Sequence, residues 1–327
     1  MKIAVVGCGA LGSFYGARLC RDGHEVHFLL RSDYDVVRRR GVRILSPEGD
    51  FVARPKVARE PAEIGPVDWV IIGLKTTANG EFARLLTPLV TPNTAILTLQ
   101  NGLGNEEALA RIFPVRQILG GLCFVCLNRI EPGVIQHLAH GKIILGEYSG
   151  WPGPRTHDLA SAWRHCGVPC SVTANLAQVH WEKLVWNIPF NGLGVASSAG
   201  WDALRNGSEG PLQPVGPCLP TDRLLADPGW SQEVRDLMGE VIAAANALGH
   251  PIPLNYGDGE IQRTREMGSY RASTLIDFER GQELELDSLF LEPLRQARQA
   301  GVPVPRLEAL ARVLTGLARS RSGAQAD

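Results

Sequence analysis

The sequence lacks what would mark a membrane, nucleic-acid or secreted protein. No apolar run approaches the ~18–20 residues that span a bilayer. Neither sign of charge dominates: 33 Lys and Arg stand against 34 Asp and Glu, a formal net charge of −1, so a whole-chain basic footprint for nucleic acid is missing. Seven cysteines is an odd number spread thinly over 327 residues, which argues against a disulfide framework. The opening stretch MKIAVVGCGALG has one Lys and a strand-like run but neither the apolar core nor the small-residue cleavage site of a signal peptide. The expectation is a cytoplasmic protein with no nucleic-acid or membrane partner. What is present is ordinary globular composition, 44% hydrophobic and 20% charged, at a length suited to two domains.

Lys2–Val6 is a short continuous apolar run ending in glycines, as a strand covered on both faces should look. Ala10–Arg21 follows with helical spacing. Glu25–Leu30, Asp68–Leu74 and Thr94–Leu99 are strand-like again, separated by helical or turn segments at Asn79–Leu86 and Glu106–Ile112. Such alternation predicts right-handed crossovers and a mostly parallel, doubly wound sheet. Ile118–Gly146 reads as short strands with turns at Glu131-Pro132-Gly133 and at His140-Gly141. After about residue 173 the pattern becomes helical, with helices expected over Asn175–Ala199, Trp230–Gly249, Asp277–Gly301 and Arg306–Arg319, then a frayed tail. Asn206–Pro220 is dense in Pro and Gly and reads as a loop. The fold class expected is α/β: a Rossmann doubly wound domain over 1–173, then an all-helical domain over 174–327 carrying a Pro/Gly-rich insertion at about 203–220.

Gly7-Cys8-Gly9-Ala10-Leu11-Gly12 is a G-x-G-x-x-G placed between a predicted strand and a predicted helix, the context a dinucleotide site requires. Gly7 allows the tight turn, Gly9 lets backbone approach a pyrophosphate, and Gly12 permits close helix–strand packing, while the helix N-terminus offers N–H groups to phosphate. The residue closing the second strand selects the cofactor. An Asp or Glu there would hold the ribose hydroxyls of NAD, but the chain reads Leu29-Leu30-Arg31-Ser32. The Arg31 guanidinium matches a 2′-phosphate, so NADP (NADPH) is expected. Lys75 and Asn101 end two further strands, near the rim where ligands of such sheets lie.

In the second half, Lys183, Asn187 and Asn191 recur at i, i+4 and i+8 within WEKLVWNIPFN. That spacing stacks them on one stripe of a helix otherwise rich in Trp, Leu, Val, Ile and Phe. A stripe on so apolar a helix must find polar partners or line a cavity. Pro189 removes one N–H from that helix and should kink it. Two other signals are declined. Cys123 and Cys126 share C-x-x-C spacing but lie in a predicted strand without a second ligand pair, so no metal is expected. His137 and His140 flank a turn and are expected at the surface.

Taken together, the GCGALG turn, the LLR after the second strand, the GLK ending at Lys75, the QNGLGNEE around Asn101, the WEKLVWNIPFN helix, and Ser273-Thr274-Leu275-Ile276-Asp277 followed by Glu283-Leu284-Glu285-Leu286-Asp287 resemble the ketopantoate reductase (2-dehydropantoate 2-reductase) family. The resemblance covers nearly the whole chain. It implies a Rossmann domain with a helical domain like that of 6-phosphogluconate dehydrogenase, and an NADPH-dependent enzyme of pantothenate biosynthesis. By that resemblance Lys183 is the catalytic lysine that protonates the carbonyl oxygen. Asn101, Lys183, Asn187, Asn191 and Ser273 hold the 2-oxo acid, Lys75, Asn101 and Glu285 contact the cofactor, and Glu285, placed between cofactor and substrate, is the second catalytic residue. The chemistry is consistent: reducing a 2-oxo acid needs a hydride source, a proton donor for the developing alkoxide, and neutral or cationic groups for the carboxylate. One departure stands out. The family usually has a short turn after the lysine helix, whereas here the Pro/Gly-rich insertion follows Trp201-Asp202-Ala203 and is expected near the pocket mouth. The expectation is reduction of ketopantoate to pantoate. The alternatives are a reductase of another small 2-oxo acid, or a non-catalytic NADP-sensing protein; a homodimer is left open.

Overall fold

The computed structural model describes residues 1–206 and 210–324, with side chains through residue 320. The chain divides into two compact units after Leu176. The first unit holds ten strands: β1 (Lys2–Val6), β2 (Glu25–Leu29), β3 (Val42–Leu45), β4 (Phe51–Ala53), β5 (Lys56–Ala58), β6 (Trp69–Ile72), β7 (Ala95–Thr98), β8 (Ile118–Glu131), β9 (Val134–Glu147) and β10 (Cys170–Val172). Their order is β4-β3-β9-β8-β7-β6-β1-β2-β5, with β10 beside β9. The run from β5 through β8 is parallel. β8 pairs antiparallel with β9, and β3 antiparallel with β4.

Burial explains why β1 reads as unbroken apolar sequence. Ile3 and Val5 pack on one face with Phe14, Phe28 and Trp163, and Ala4 and Val6 on the other with Phe82, Leu86 and Ile118. A strand covered on both sides has no position where a polar side chain would meet water.

Three expectations for the first unit and its hairpin need correction. Residues 118–147 form two long strands rather than several short ones, with a single turn at Pro132-Gly133. The His140-Gly141 pair, at φ 64° and 129°, is absorbed as a bulge inside β9 opposite Phe124 and Val125, so the ladder continues through it. His137 is buried, only 2% exposed. Its Nδ1 lies 2.9 Å from Ser46 Oγ, its Nε2 lies 2.9 Å from the His140 carbonyl, and its ring sits 4.6 Å from that of Phe14. His140 itself is exposed.

The second unit is built of helices, and no strand occurs among its described residues. The lysine helix spans Leu176–Ala196, and further helices span Pro228–Ala247, Tyr256–Glu266, Ser273–Glu279, Glu292–Gln299 and Pro305–Ala324. The single helix expected over Asp277–Gly301 is interrupted. It stops at Glu279, Gly281 takes φ 68°, and the chain resumes through a π-helical turn at Asp287–Leu291. The last helix runs beyond Arg319 to Ala324 instead of fraying there.

Within the expected insertion, Ala203–Asn206 belong to a short helix, Trp201–Asn206, while 207–209 lie outside the described residues. The irregular remainder is tied by backbone hydrogen bonds. Val215 N–H donates to the Ser198 carbonyl (2.7 Å), Leu219 N–H to that of Gly194 (3.0 Å), and Leu212 N–H to that of Gly316 (3.1 Å). Gly194 follows Lys183 by eleven residues, about 16 Å along the helix axis. The described contacts therefore seat this segment at the far end of the lysine helix rather than beside Lys183. No described helix is long and apolar enough to cross a membrane.

Candidate active site

β2, β1, β6 and β7 are parallel neighbours in that order, so their carboxyl ends share one edge of the sheet, about 14 Å long at three strand spacings. Arg31 follows β2, the glycine turn follows β1, Lys75 follows β6, and Asn101 follows β7. The glycines differ in what they face. A Cβ on Gly7, whose φ is 96°, would lie 2.2 Å from the Leu74 amide nitrogen, and one on Gly12 would lie 2.2 Å from the Gly7 carbonyl oxygen. On Gly9 it would meet nothing within 4 Å. Two glycines thus let backbone pack on backbone, and the third opens to solvent.

Cys8, Ala10 and Leu11 fill the turn between them, half-buried. The Cys8 thiol donates to the Val5 carbonyl at 3.3 Å. Burial, and after it the Asp33 carboxylate, hold that thiol well above its ordinary pKa. The helix starting at Ala10 has no acidic residue in its first turn and no side chain capping it, so its amide groups remain suited to an anion. Arg31 is exposed. These features fit a dinucleotide: a pyrophosphate at Gly9 and the helix start, with a cation where the second strand ends.

Polar residues between Lys75 and Asn101 form a chain of amides that sequence reasoning missed. Thr98 Oγ1 donates to Gln100 Oε1 (2.9 Å), Gln100 Nε2 to Asn79 Oδ1 (2.8 Å), Asn79 Nδ2 to Asn105 Oδ1 (2.9 Å), and Asn105 Nδ2 to the Asn101 carbonyl (3.1 Å). Gln100 and Asn105 are 5% and 1% exposed. The chain therefore locks the turn after Lys75 to the loop holding Asn101. The available signal was the density of amides in Gln100-Asn101 and Asn105, clustered just beyond a strand end.

In the second unit the lysine helix buries Trp181, Leu184, Val185, Ile188 and Phe190 to 2% exposure or less. Its polar stripe is graded: Lys183 is half-buried, Asn187 is 6% exposed and Asn191 is 3% exposed. The helix continues past Pro189, which offers no N–H to the carbonyl of Val185. Asn191 Oδ1 accepts from the Thr274 N–H (3.1 Å) and from Ser273 Oγ (3.3 Å). The helix Ser273–Glu279 has Ala272 at its N-cap position, without a capping side chain, so Asn191 supplies from a neighbouring helix the acceptor that Ala272 lacks. Asn187 has no side-chain hydrogen-bond partner among the described residues, although it is nearly as buried.

Gly192 explains how further segments reach this end of the stripe. A Cβ there would lie 2.5 Å from Leu310 and 2.9 Å from Phe290, so the last helix and the π-helical turn pack directly on the lysine helix. Glu285 is half-buried two residues before that turn, and its carbonyl accepts from the Leu289 N–H at 3.3 Å. The structure thus joins Ser273 to Asn191 and packs the segment following Glu285 against the same helix. The described residues hold no group of three or more His, Cys, Asp or Glu placed for a metal ion.

The two asparagines should separate experimentally. Asn191→Ala strands the buried Thr274 N–H and should lower stability by about 1–3 kcal/mol. Asn187→Ala removes an amide that no described residue uses, so its melting temperature should stay near that of the parent. If that amide meets a substrate instead, kcat/KM should fall about 10–100-fold, the size of one hydrogen bond to a charged group. Thermal melts run alongside steady-state kinetics check both; a stability loss in Asn187→Ala as large as in Asn191→Ala would contradict the distinction.

A doubly wound sheet with an open glycine turn, followed by a helical unit presenting one lysine and two amides along a stripe, defines an oxidoreductase of the pyridine-nucleotide class. The models for "Ketopantoate reductase PanE/ApbA" and "Ketopantoate reductase PanE/ApbA C terminal" match residues 3–150 and 202–318. The chain belongs to the ketopantoate reductase family. It is 37% identical to the 2-dehydropantoate 2-reductase of Nostoc sp. over 329 aligned residues, covering 98% of this chain and 97% of that one. Among solved structures it resembles the 2-dehydropantoate 2-reductase of Geobacter metallireducens GS-15, with a TM-score of 0.87 and 45% identity over 96% of this chain and 99% of the other. It also resembles that of Methylococcus capsulatus, with a TM-score of 0.86 and 34% identity over 98% of each.

Proposed function

We propose that this protein reduces a 2-oxo acid to the 2-hydroxy acid with NADPH, and that the particular reaction is 2-dehydropantoate to pantoate. The observation that carries this reading is the stripe of Lys183, Asn187 and Asn191, with Asn191 bound to Ser273. One cation and two neutral amides share a stripe of a helix that is otherwise mostly apolar, which supports a proton donor flanked by neutral donors. The relatives named above are 2-dehydropantoate 2-reductases, which supports the choice of substrate.

In this reading each residue has a role. The turn Gly7–Gly12 would hold the pyrophosphate, Arg31 the 2′-phosphate, and Lys75 and Asn101 the remainder of the cofactor. When bound, NADPH would supply the hydride that C2 of the oxo acid takes up. Lys183 Nζ gives its proton to the carbonyl oxygen as that oxygen gains charge. The amides of Asn187 and Asn191 donate to the substrate's oxygens without adding a second cation beside the lysine, and the Ser273 hydroxyl does so by turning away from Asn191 Oδ1 when substrate is bound. Glu285 supplies the anion beside cofactor and substrate. The overall change consumes NADPH and one proton and releases NADP⁺ and the hydroxy acid.

The direct test is NADPH oxidation against a panel of 2-oxo acids. Ketopantoate should give the highest kcat/KM; a higher value for another acid would reassign the substrate, and no turnover with any would leave a nucleotide-binding protein. Arg31→Ala tests the cofactor. Loss of a charge-assisted contact should weaken NADPH by about 10–100-fold while NADH changes little. Equal losses for both would remove the 2′-phosphate assignment.

A further inference from the structure

The chain carries an acidic residue two positions after Arg31, and its surroundings bear on cofactor choice. A carboxylate beyond the second strand selects NAD by accepting from the ribose hydroxyls, and would repel a 2′-phosphate. Asp33 is such a carboxylate, with its side chain 7% exposed. It lies close enough to the glycine turn to be the next-largest influence, after burial, on the Cys8 thiol.

Every acceptor site of Asp33 is occupied by the protein itself. Oδ2 accepts from Arg129 Nε (3.0 Å) and from the Gly133 N–H (3.1 Å), and Oδ1 accepts from Ser32 Oγ (3.0 Å) and from the Arg129 terminal nitrogen. A carboxylate has about four lone-pair sites, so none remains for a ribose hydroxyl. The partners come from far away in sequence: Arg129 lies near the end of β8 and Gly133 in the turn between β8 and β9. Arg129 meets the carboxylate as a two-pronged fork, which fixes orientation as well as charge.

We infer that Arg129 is a positioning residue for cofactor selection: with the Gly133 amide it sequesters and neutralises Asp33, leaving Arg31 as the group that meets the adenosine ribose substituent. This rests on the NADP reading above. Charge explains why the lock matters. Released from Arg129, the carboxylate would stand near the site of a dianionic phosphate and would regain acceptors for a bare ribose.

The test is calorimetric titration of the full-length protein with 2′,5′-ADP and with 5′-AMP, paired with kcat/KM for NADPH and NADH. The wild type should favour 2′,5′-ADP; no preference there would overturn the NADP reading, and this inference with it. In Arg129→Gln the preference should fall by about tenfold or more, with 5′-AMP binding unchanged or tighter. Adding Asp33→Asn to Arg129→Gln should restore most of the preference, because the amide carries no charge, and Arg129→Lys should lie between Gln and wild type. Asp33→Asn alone, which keeps the arginine, should retain the wild-type preference even if Arg129→Gln folds poorly. The inference is overturned if Arg129→Gln keeps the wild-type ratio, if it loses both nucleotides equally, if the double variant restores nothing, or if Asp33→Asn alone abolishes the preference.

Discussion

Lys183→Ala should lower kcat for 2-oxo-acid reduction by about 10²–10⁴, the usual contribution of a positioned general acid. Nucleotide affinity should change by less than about threefold, because the glycine turn, Arg31 and Lys75 are untouched. Folding should survive as well: Lys183 is only half-buried, and alanine is the best helix former, so the substitution removes neither core volume nor a helical hydrogen bond. Lys183→Arg sharpens the test. It keeps a cation on the stripe, but a guanidinium with a pKa above about 12 gives up its proton reluctantly. If Lys183 acts by proton transfer, the arginine variant stays close to alanine in kcat; if it acts only as a fixed positive charge, arginine recovers most of the rate. An alanine variant with parental kcat would take away the proton donor and leave a nucleotide-binding protein of another purpose.

How much of this could be read beforehand depended on whether the signal was local. β1 and its glycine turn were legible because one short segment carries both: a strand buried on two faces leaves an apolar run, and a backbone-to-backbone approach leaves glycine. The Lys183 stripe was legible because helical period alone aligns i, i+4 and i+8. Non-local contacts left no such trace. His137 is flanked by turn residues, and its burial is decided by Ser46 and Phe14, which nothing nearby announces. The Asp33–Arg129 pair spans 96 residues, and the Asn191–Thr274 bond spans 83. Asn191 shows the consequence most plainly: its stripe position called for a polar partner or a cavity, and the partner its carbonyl oxygen takes, the Thr274 N–H, is one that nothing nearby in the chain announces. The break after Glu279 was missed for a different reason. Leu and Glu around it favour helix, and the positive φ at Gly281 and the packing of Phe290 on Gly192 override that preference.

The glycine turn makes the strongest structural prediction, because its three glycines should fail in different ways. Alanine at Gly7 meets two penalties. The positive φ disfavours any Cβ by about 1–2 kcal/mol, and overlap with the Leu74 amide adds about 1–3 kcal/mol because backbone cannot swing aside as a side chain can. Gly12→Ala sets opposing terms against each other. Inside a helix alanine would ordinarily gain about 0.5–1 kcal/mol over glycine, but a Cβ at 2.2 Å from the Gly7 carbonyl pushes the helix off the strand, and that overlap should win. Both variants should melt lower than the parent in the absence of any nucleotide, by roughly 2–4 °C for each kcal/mol lost. Gly9→Ala should not. Its φ of −72° suits any residue and its Cβ would face open space, so the unliganded melting temperature should stay within about 1 °C of the parent. The added methyl would instead occupy the approach of a pyrophosphate, weakening NADP binding by about tenfold or more. Differential scanning calorimetry without nucleotide, followed by titration with NADP⁺, separates the two kinds of damage. Parental affinity in Gly9→Ala would mean that phosphate is held somewhere other than this turn.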